Sequence, residues 1–133
     1  MTAHLSGSCC CGTIRYHVDS HPRHIVNCHC NLCRTMNGSA FSSYVVIPHN
    51  ALTVSGEEHA AHYPVTEGAR KHFCRNCGTP LFNVNNRYPG VCMLYLGTLA
   101  DGVRHIPSVN LYCDSMLAWV PDIGSATRIQ QGF

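Results

Sequence analysis

Ten cysteines carry the chemistry of this chain, and seven of them fall into spacings that suit a metal ion. Cys9-x-Cys11 and Cys74-x-x-Cys77 are two pairs, each followed directly by a glycine, Gly12 and Gly78. Zinc holds thiolate sulfurs at about 2.3 Å in a tetrahedron, which places neighbouring sulfurs roughly 4 Å apart. Residues at i and i+2 of an extended segment face the same way, so a modest bend delivers both to one ion. A C-x-x-C turn does the same across a tight knuckle, and the glycine that follows can take φ > 0 and let backbone N–H groups approach the sulfurs. Two such halves make a four-cysteine site, the filled tetrahedron expected of structural zinc. That site would tie the beginning of the chain to its middle across the 62 residues from Gly12 to Phe73.

Cys28-x-Cys30-x-x-Cys33 differs, with three thiols inside six residues and no partner pair. Three protein ligands and one position left for water or substrate is the arrangement of catalytic zinc. An ion held there would act as a Lewis acid and lower the pKa of the group it binds. The expected total is two zinc ions per chain, one held by Cys9, Cys11, Cys74 and Cys77, the other by Cys28, Cys30 and Cys33. The alternative for the triad is a second structural site completed by Cys10, His29 or Cys113. Cys10, Cys92 and Cys113 otherwise read as small core hydrophobes.

The neighbours of the triad have several readings. His29 is expected to point away from an ion held by Cys28 and Cys30, because alternate residues of an extended stretch face opposite ways. Its other reading is a proton shuttle near neutral pH. No general base stands out, and His29 and Asp114 are the candidates. Arg34 offsets the charge of three thiolates, holds a substrate carboxylate, or is simply solvated. Arg70, Lys71 and Arg75 form a small basic cluster suited to an anionic substrate or to a solvated face. His72 reads as strand surface, and Phe41, Phe82, Tyr95 and Trp119 as core or rim aromatics.

The elements that must position these groups are mostly strands. Ile14, Tyr16 and Val18 alternate with Arg15 and His17, the period of a half-buried strand. Ala40 to Ile47 reads as a longer strand closed by Pro48. Leu52 to Val54, Arg70 to Phe73, Leu81 to Val84 and Val109 to Tyr112 are shorter ones. The unbroken apolar run from Val91 to Leu96 predicts a central strand. One or two helical turns are expected over Asn31 to Met36, with Asn37-Gly38 as the stop. The fold class is therefore all-β, mainly antiparallel, with short helical turns.

The chain has 133 residues and a mass of 14.6 kDa, which suits one domain over residues 1–133 with its core over about 7–119. Only 12% of residues are charged and the net charge is +2, a balance that argues against a nucleic-acid partner. Low charge is compatible with a homo-oligomer such as a dimer. No apolar run reaches the roughly 18–20 residues of a membrane span. Met1 to Cys10 has neither the basic nor the apolar region of a secretory signal. The expected location is the cytoplasm, a reducing compartment where clustered thiols hold metal rather than disulfides.

Three segments resemble the glutathione-dependent formaldehyde-activating enzyme family, which includes centromere protein V. They are Gly7-Ser8-Cys9-Cys10-Cys11-Gly12-Thr13-Ile14-Arg15-Tyr16, then Cys28-His29-Cys30-Asn31-Leu32-Cys33-Arg34, then Phe73-Cys74-Arg75-Asn76-Cys77-Gly78-Thr79-Pro80-Leu81-Phe82. The resemblance runs from about Gly7 to Trp119. It implies the β-tent zinc fold, with the structural and catalytic ligand sets divided as above. It also implies a carbon–sulfur lyase type of activity on a thiol adduct of an aldehyde, such as S-hydroxymethylglutathione formed from glutathione and formaldehyde. Relatives often carry a histidine where this chain has Asn110. Two other readings stand beside the enzyme: a non-catalytic zinc-binding interaction module, and a thiol-based zinc or redox sensor.

Overall fold

The computed structural model describes residues 5–101 and 104–132. Among the described residues ten strands and one α-helix follow in chain order: β1 Leu5–Ser8, β2 Arg15–Val18, β3 His24–Cys28, α1 Asn31–Asn37, β4 Ser42–Pro48, β5 Leu52–Ser55, β6 Ala60–Thr66, β7 Ala69–Cys74, β8 Pro80–Asn85, β9 Val91–Tyr95 and β10 Val109–Leu111. Short 3-10 turns join several of them. A three-stranded antiparallel sheet has the order β1-β2-β5, and a seven-stranded sheet has the order β10-β3-β4-β9-β8-β7-β6. Every pairing is antiparallel except that of β10 with β3. The all-β, mainly antiparallel architecture expected from the sequence is the one observed. Among the described residues no helix is long and apolar enough to cross a membrane.

The main core lies between the two sheets. Leu5, Ile14, Tyr16 and Val18 meet Val45, Ile47, Leu81, Cys92, Leu94 and Leu99 there, all buried. A second, smaller cluster of Val26, Cys28, Tyr44 and Tyr95 packs with Cys30, Cys33 and Met93. Alternation explains how both clusters share two strands. Val45 and Leu94 join the first cluster, while their neighbours Tyr44 and Tyr95 join the second. A strand buried on both faces reads as an unbroken apolar run, which is why β4 and β9 look central in the sequence. Pro64 lies on β6, an edge strand of the large sheet, where a missing N–H is tolerated.

Helix α1 begins at the triad. Its N-cap is Cys30, whose Sγ accepts the backbone N–H of Cys33 at 3.3 Å. It stops at Gly38, which takes φ 62° and donates its N–H to Arg34 O at 2.8 Å. The expected helix over Asn31 to Met36 thus exists, one residue longer.

Candidate metal centres

Cys9 directly follows β1 and opens the turn that carries Cys11, and Cys74 closes β7 ahead of Cys77. The four Sγ atoms all lie within 4.8 Å of one another, so this group could hold a metal ion. Cys9 and Cys11 sulfurs are 3.5 Å apart, and Cys11 and Cys74 sulfurs 3.8 Å. These separations fit a tetrahedron of thiolates around zinc. Gly12 and Gly78 both take φ 77°, a left-handed turn that glycine adopts without a Cβ clash. Their N–H groups close the knuckles onto Cys9 O at 3.1 Å and Cys74 O at 2.8 Å. Ile14 N donates to Cys9 Sγ at 3.3 Å.

The two knuckles also touch directly. Cys10 N donates to Thr79 Oγ1 at 3.0 Å, and Asn76 Nδ2 donates to Thr13 Oγ1 at 3.5 Å. Hydrogen bonding from Thr79 holds the Cys77 thiol down at about 5, and hydrogen bonding from Thr13 lowers that of Cys11. Both shifts favour the thiolate, the form that binds metal.

Cys28, Cys30 and Cys33 bring three Sγ atoms within 4.8 Å of one another, and among the described residues no His, Cys, Asp or Glu joins them as a fourth donor. Cys28 is buried, and Cys30 and Cys33 are half-buried. The adjacent Cys33 thiol draws Cys28 down to about 6, and Cys33 is raised by that same pairing and by burial. Three close sulfurs cannot all carry charge without a cation, so this donor set fits zinc.

Around the triad the backbone and side chains are tightly tied. His29 N donates to Leu111 O at 3.0 Å across the β3–β10 pair. The His29 ring is 1% exposed, packs on Phe41 with centroids 5.0 Å apart, and donates from Nε2 to Asn110 Oδ1 at 3.1 Å. That same oxygen accepts Asn27 Nδ2 at 3.1 Å, and Asn27 Oδ1 accepts Ser43 Oγ at 2.6 Å. His29 Nδ1 is buried without a hydrogen-bond partner. Neither ring nitrogen belongs to the sulfur group.

Arg34 is half-buried and held by three acceptors. Its Nη1 donates to His29 O at 2.8 Å and Ser115 O at 2.6 Å, and its Nη2 donates to Asn31 Oδ1. The basic cluster is divided: Arg70 is exposed, Arg75 bonds Ala60 O at 3.2 Å, and Lys71 turns toward the end of α1. Asp114 is exposed in a 3-10 turn. His72 stacks on Phe82 at 4.4 Å and faces His62. Cys92 is fully buried, as expected, but Cys10 and Cys113 are exposed. That corrects the core reading: Cys10 sits at the tip of a knuckle and Cys113 follows an edge strand, where no second layer covers them. Trp119 is 56% exposed, a surface residue.

Sequence reasoning did not single out Tyr44, Asn83, Asn27 or Asn37. Tyr44 and Asn83 reach the surroundings of the triad from β4 and β8, while Asn27 and Asn37 lie on β3 and α1, which also carry Cys28 and Cys33.

The chain belongs to the glutathione-dependent formaldehyde-activating enzyme family, whose model matches residues 4–115. It is similar to a protein of Halomonas elongata provisionally named as a glutathione-dependent formaldehyde-activating enzyme, with 29% identity over 124 residues, covering 87% of this chain and 79% of the relative. An uncharacterised lyase of Schizosaccharomyces pombe is 30% identical over 76 residues, covering 57% of this chain and 54% of the relative. The crystal structure of a Rhodobacter sphaeroides protein matches with a TM-score of 0.60 at 21% identity, covering 77% of this chain and 97% of that one, a likeness of fold.

Proposed function

We propose that this chain is a zinc-dependent enzyme of carbon–sulfur lyase type, acting on a thiol adduct of an aldehyde, with glutathione and formaldehyde as the leading pair. One observation carries the reading: three sulfurs stand together with no fourth protein donor among the described residues. Family membership supports the substrate class. Cys28, Cys30 and Cys33 hold the catalytic ion, and Cys9, Cys11, Cys74 and Cys77 hold the structural one. When bound at the triad, zinc supplies Lewis acidity toward a thiol or an aldehyde-derived oxygen.

The reaction adds a thiol across a carbonyl. A C–S bond forms, the carbonyl π pair becomes the hydroxyl, and the thiol proton ends on that oxygen; the reverse breaks the same bonds. The protein's part is to place the reactants. Arg34 acts as a positioning residue, pinning the loop of His29 to the segment of Ser115 and so fixing the wall beside the triad. His29 gives its Nε2 proton to Asn110, which fixes the ring's orientation between two ligands. Ten unpaired cysteines suit a reducing, cytoplasmic setting.

Exchange NMR of formaldehyde with glutathione tests the reading. The zinc-loaded protein is expected to speed the exchange, and Cys30→Ser to abolish the gain. An unchanged rate with both sites loaded would sink the enzyme reading and favour the interaction module, for which exposed Trp119, Ile123 and Ile129 offer a surface.

A further inference from the structure

A chain of polar side chains leads from the triad into the protein. Tyr44 Oη lies 3.3 Å from Cys33 Sγ and 3.3 Å from Asn83 Nδ2. Asn83 Oδ1 accepts the Tyr95 hydroxyl at 3.1 Å, and the same hydroxyl is 3.2 Å from Asn37 Oδ1. Lys71 Nζ donates to Asn37 Oδ1 at 2.8 Å and to Met36 O at 3.1 Å. Tyr44 and Tyr95 are buried, and their rings meet edge to face at 5.0 Å.

The polarity of this chain is set from its far end. An ammonium only donates, so the oxygen of Asn37 must face Lys71. Tyr95 then offers its single proton to the oxygens of Asn37 and Asn83. With its oxygen so used, Asn83 presents its NH2 group to Tyr44. The Tyr44 oxygen accepts that N–H and keeps one proton to give. A metal-ligating thiolate has none, so Cys33 Sγ is placed to accept the Tyr44 proton.

We propose that Tyr44 is a positioning residue of the three-cysteine centre, donating a hydrogen bond to the Cys33 thiolate so that this sulfur gives less charge to the ion it binds. The inference rests on the metal reading above and deepens it. A hydrogen bond in a buried, low-dielectric setting is stronger than in water. Partners of metal ligands orient those ligands and tune the ion. By holding charge back on Cys33, Tyr44 would leave an ion bound there more Lewis acidic toward a thiol or an aldehyde-derived oxygen. Asn83, Tyr95, Asn37 and Lys71 keep the Tyr44 proton aimed.

The test uses protein with zinc kept in the four-cysteine site and cobalt(II) loaded at the triad, where the sulfur-to-cobalt charge-transfer band reports on the ligands. Loss of the band in Cys30→Ser assigns it to the triad. In Tyr44→Phe, which keeps the ring, the band is expected at longer wavelength, because a thiolate without its hydrogen bond releases charge more easily. Asn83→Leu leaves Tyr44 in place but frees its hydroxyl to rotate, and should move the band the same way by less. Should Tyr44→Phe fail to fold, Asn83→Leu decides alone. A band that stays put in the folded variants overturns the proposal and leaves Tyr44 as packing. If the unaltered protein shows no Cys30-dependent band, the metal reading falls and takes this inference with it, so the two failures are distinguishable.

Discussion

His29, just past β3, and Asn110 on β10 are joined beside the parallel β3–β10 pair, with Nε2 3.1 Å from Oδ1. Because Asn110 Oδ1 also takes an N–H from Asn27, it serves both neighbours as an acceptor. This bond is the partner that His29 has in its buried position, since its other nitrogen has none.

Removing that acceptor should therefore be costly. Asn110→Leu leaves a buried imidazole with both nitrogens unsatisfied and is expected to lower stability by about 1–3 kcal/mol. Asn110→Asp keeps an accepting oxygen and should recover most of the loss. Urea denaturation of the three proteins at neutral pH measures the order; equal midpoints would contradict it.

The two sulfur groups should respond differently to ligand loss. Elemental analysis is expected to give two zinc ions per chain. Cys30→Ser should lose one and remain folded by circular dichroism, whereas Cys74→Ser should aggregate or unfold, because structural metal contributes folding free energy directly. Matching behaviour of the two variants would refute the division of labour.

Arg34 bridges two carbonyls from distant parts of the chain, His29 O and Ser115 O. Arg34→Ala should release the segment around Ser115 and cost about 1–2 kcal/mol, near the low end for bonds to a charged group because the side chain is half-exposed. Faster amide exchange confined to that segment and to α1, with the four-cysteine knuckles unchanged, is the expected pattern.

Tyr16 gives an alkaline prediction. Burial pushes its hydroxyl up to about 12 from 10, while Thr98 Oγ1 lies 2.6 Å away. A raised acid pKa means the folded state holds its proton longer than the unfolded one. The contribution is thus intact below pH 10 and is lost as pH rises through about 12, up to roughly 2–3 kcal/mol. Tyr16→Phe should show a smaller fall in urea-derived stability over that window than the unaltered protein. An equal fall would contradict the prediction.

Legibility in the sequence followed the range of the interaction. β2, β4 and β9 were readable because alternation or an unbroken apolar run is written locally. β1 was not: Leu5-Ser6-Gly7-Ser8 has one apolar residue, and its place is set by pairing with β2. β6 carries Pro64 and polar residues on an edge, so neither its composition nor its period signals a strand. The sulfur spacings were legible because each pair, and the triad, is contributed by neighbours along the chain. Tyr44 and Asn83 were not, because each gains its meaning only when strands far apart in sequence are laid side by side, and Asn110 stood out only through the family resemblance.

The junction between the knuckles of Cys9 and Cys74 sets a timetable for biosynthesis. Sixty-two residues separate the first pair from the second, so the small sheet must wait, its sulfurs unsatisfied, until β7 and Cys77 emerge. Closure is then a late, long-range step, the kind that leaves nascent chains open to aggregation. A cell starved of zinc would be expected to accumulate this polypeptide as unclosed, short-lived chains rather than as an intact but idle enzyme.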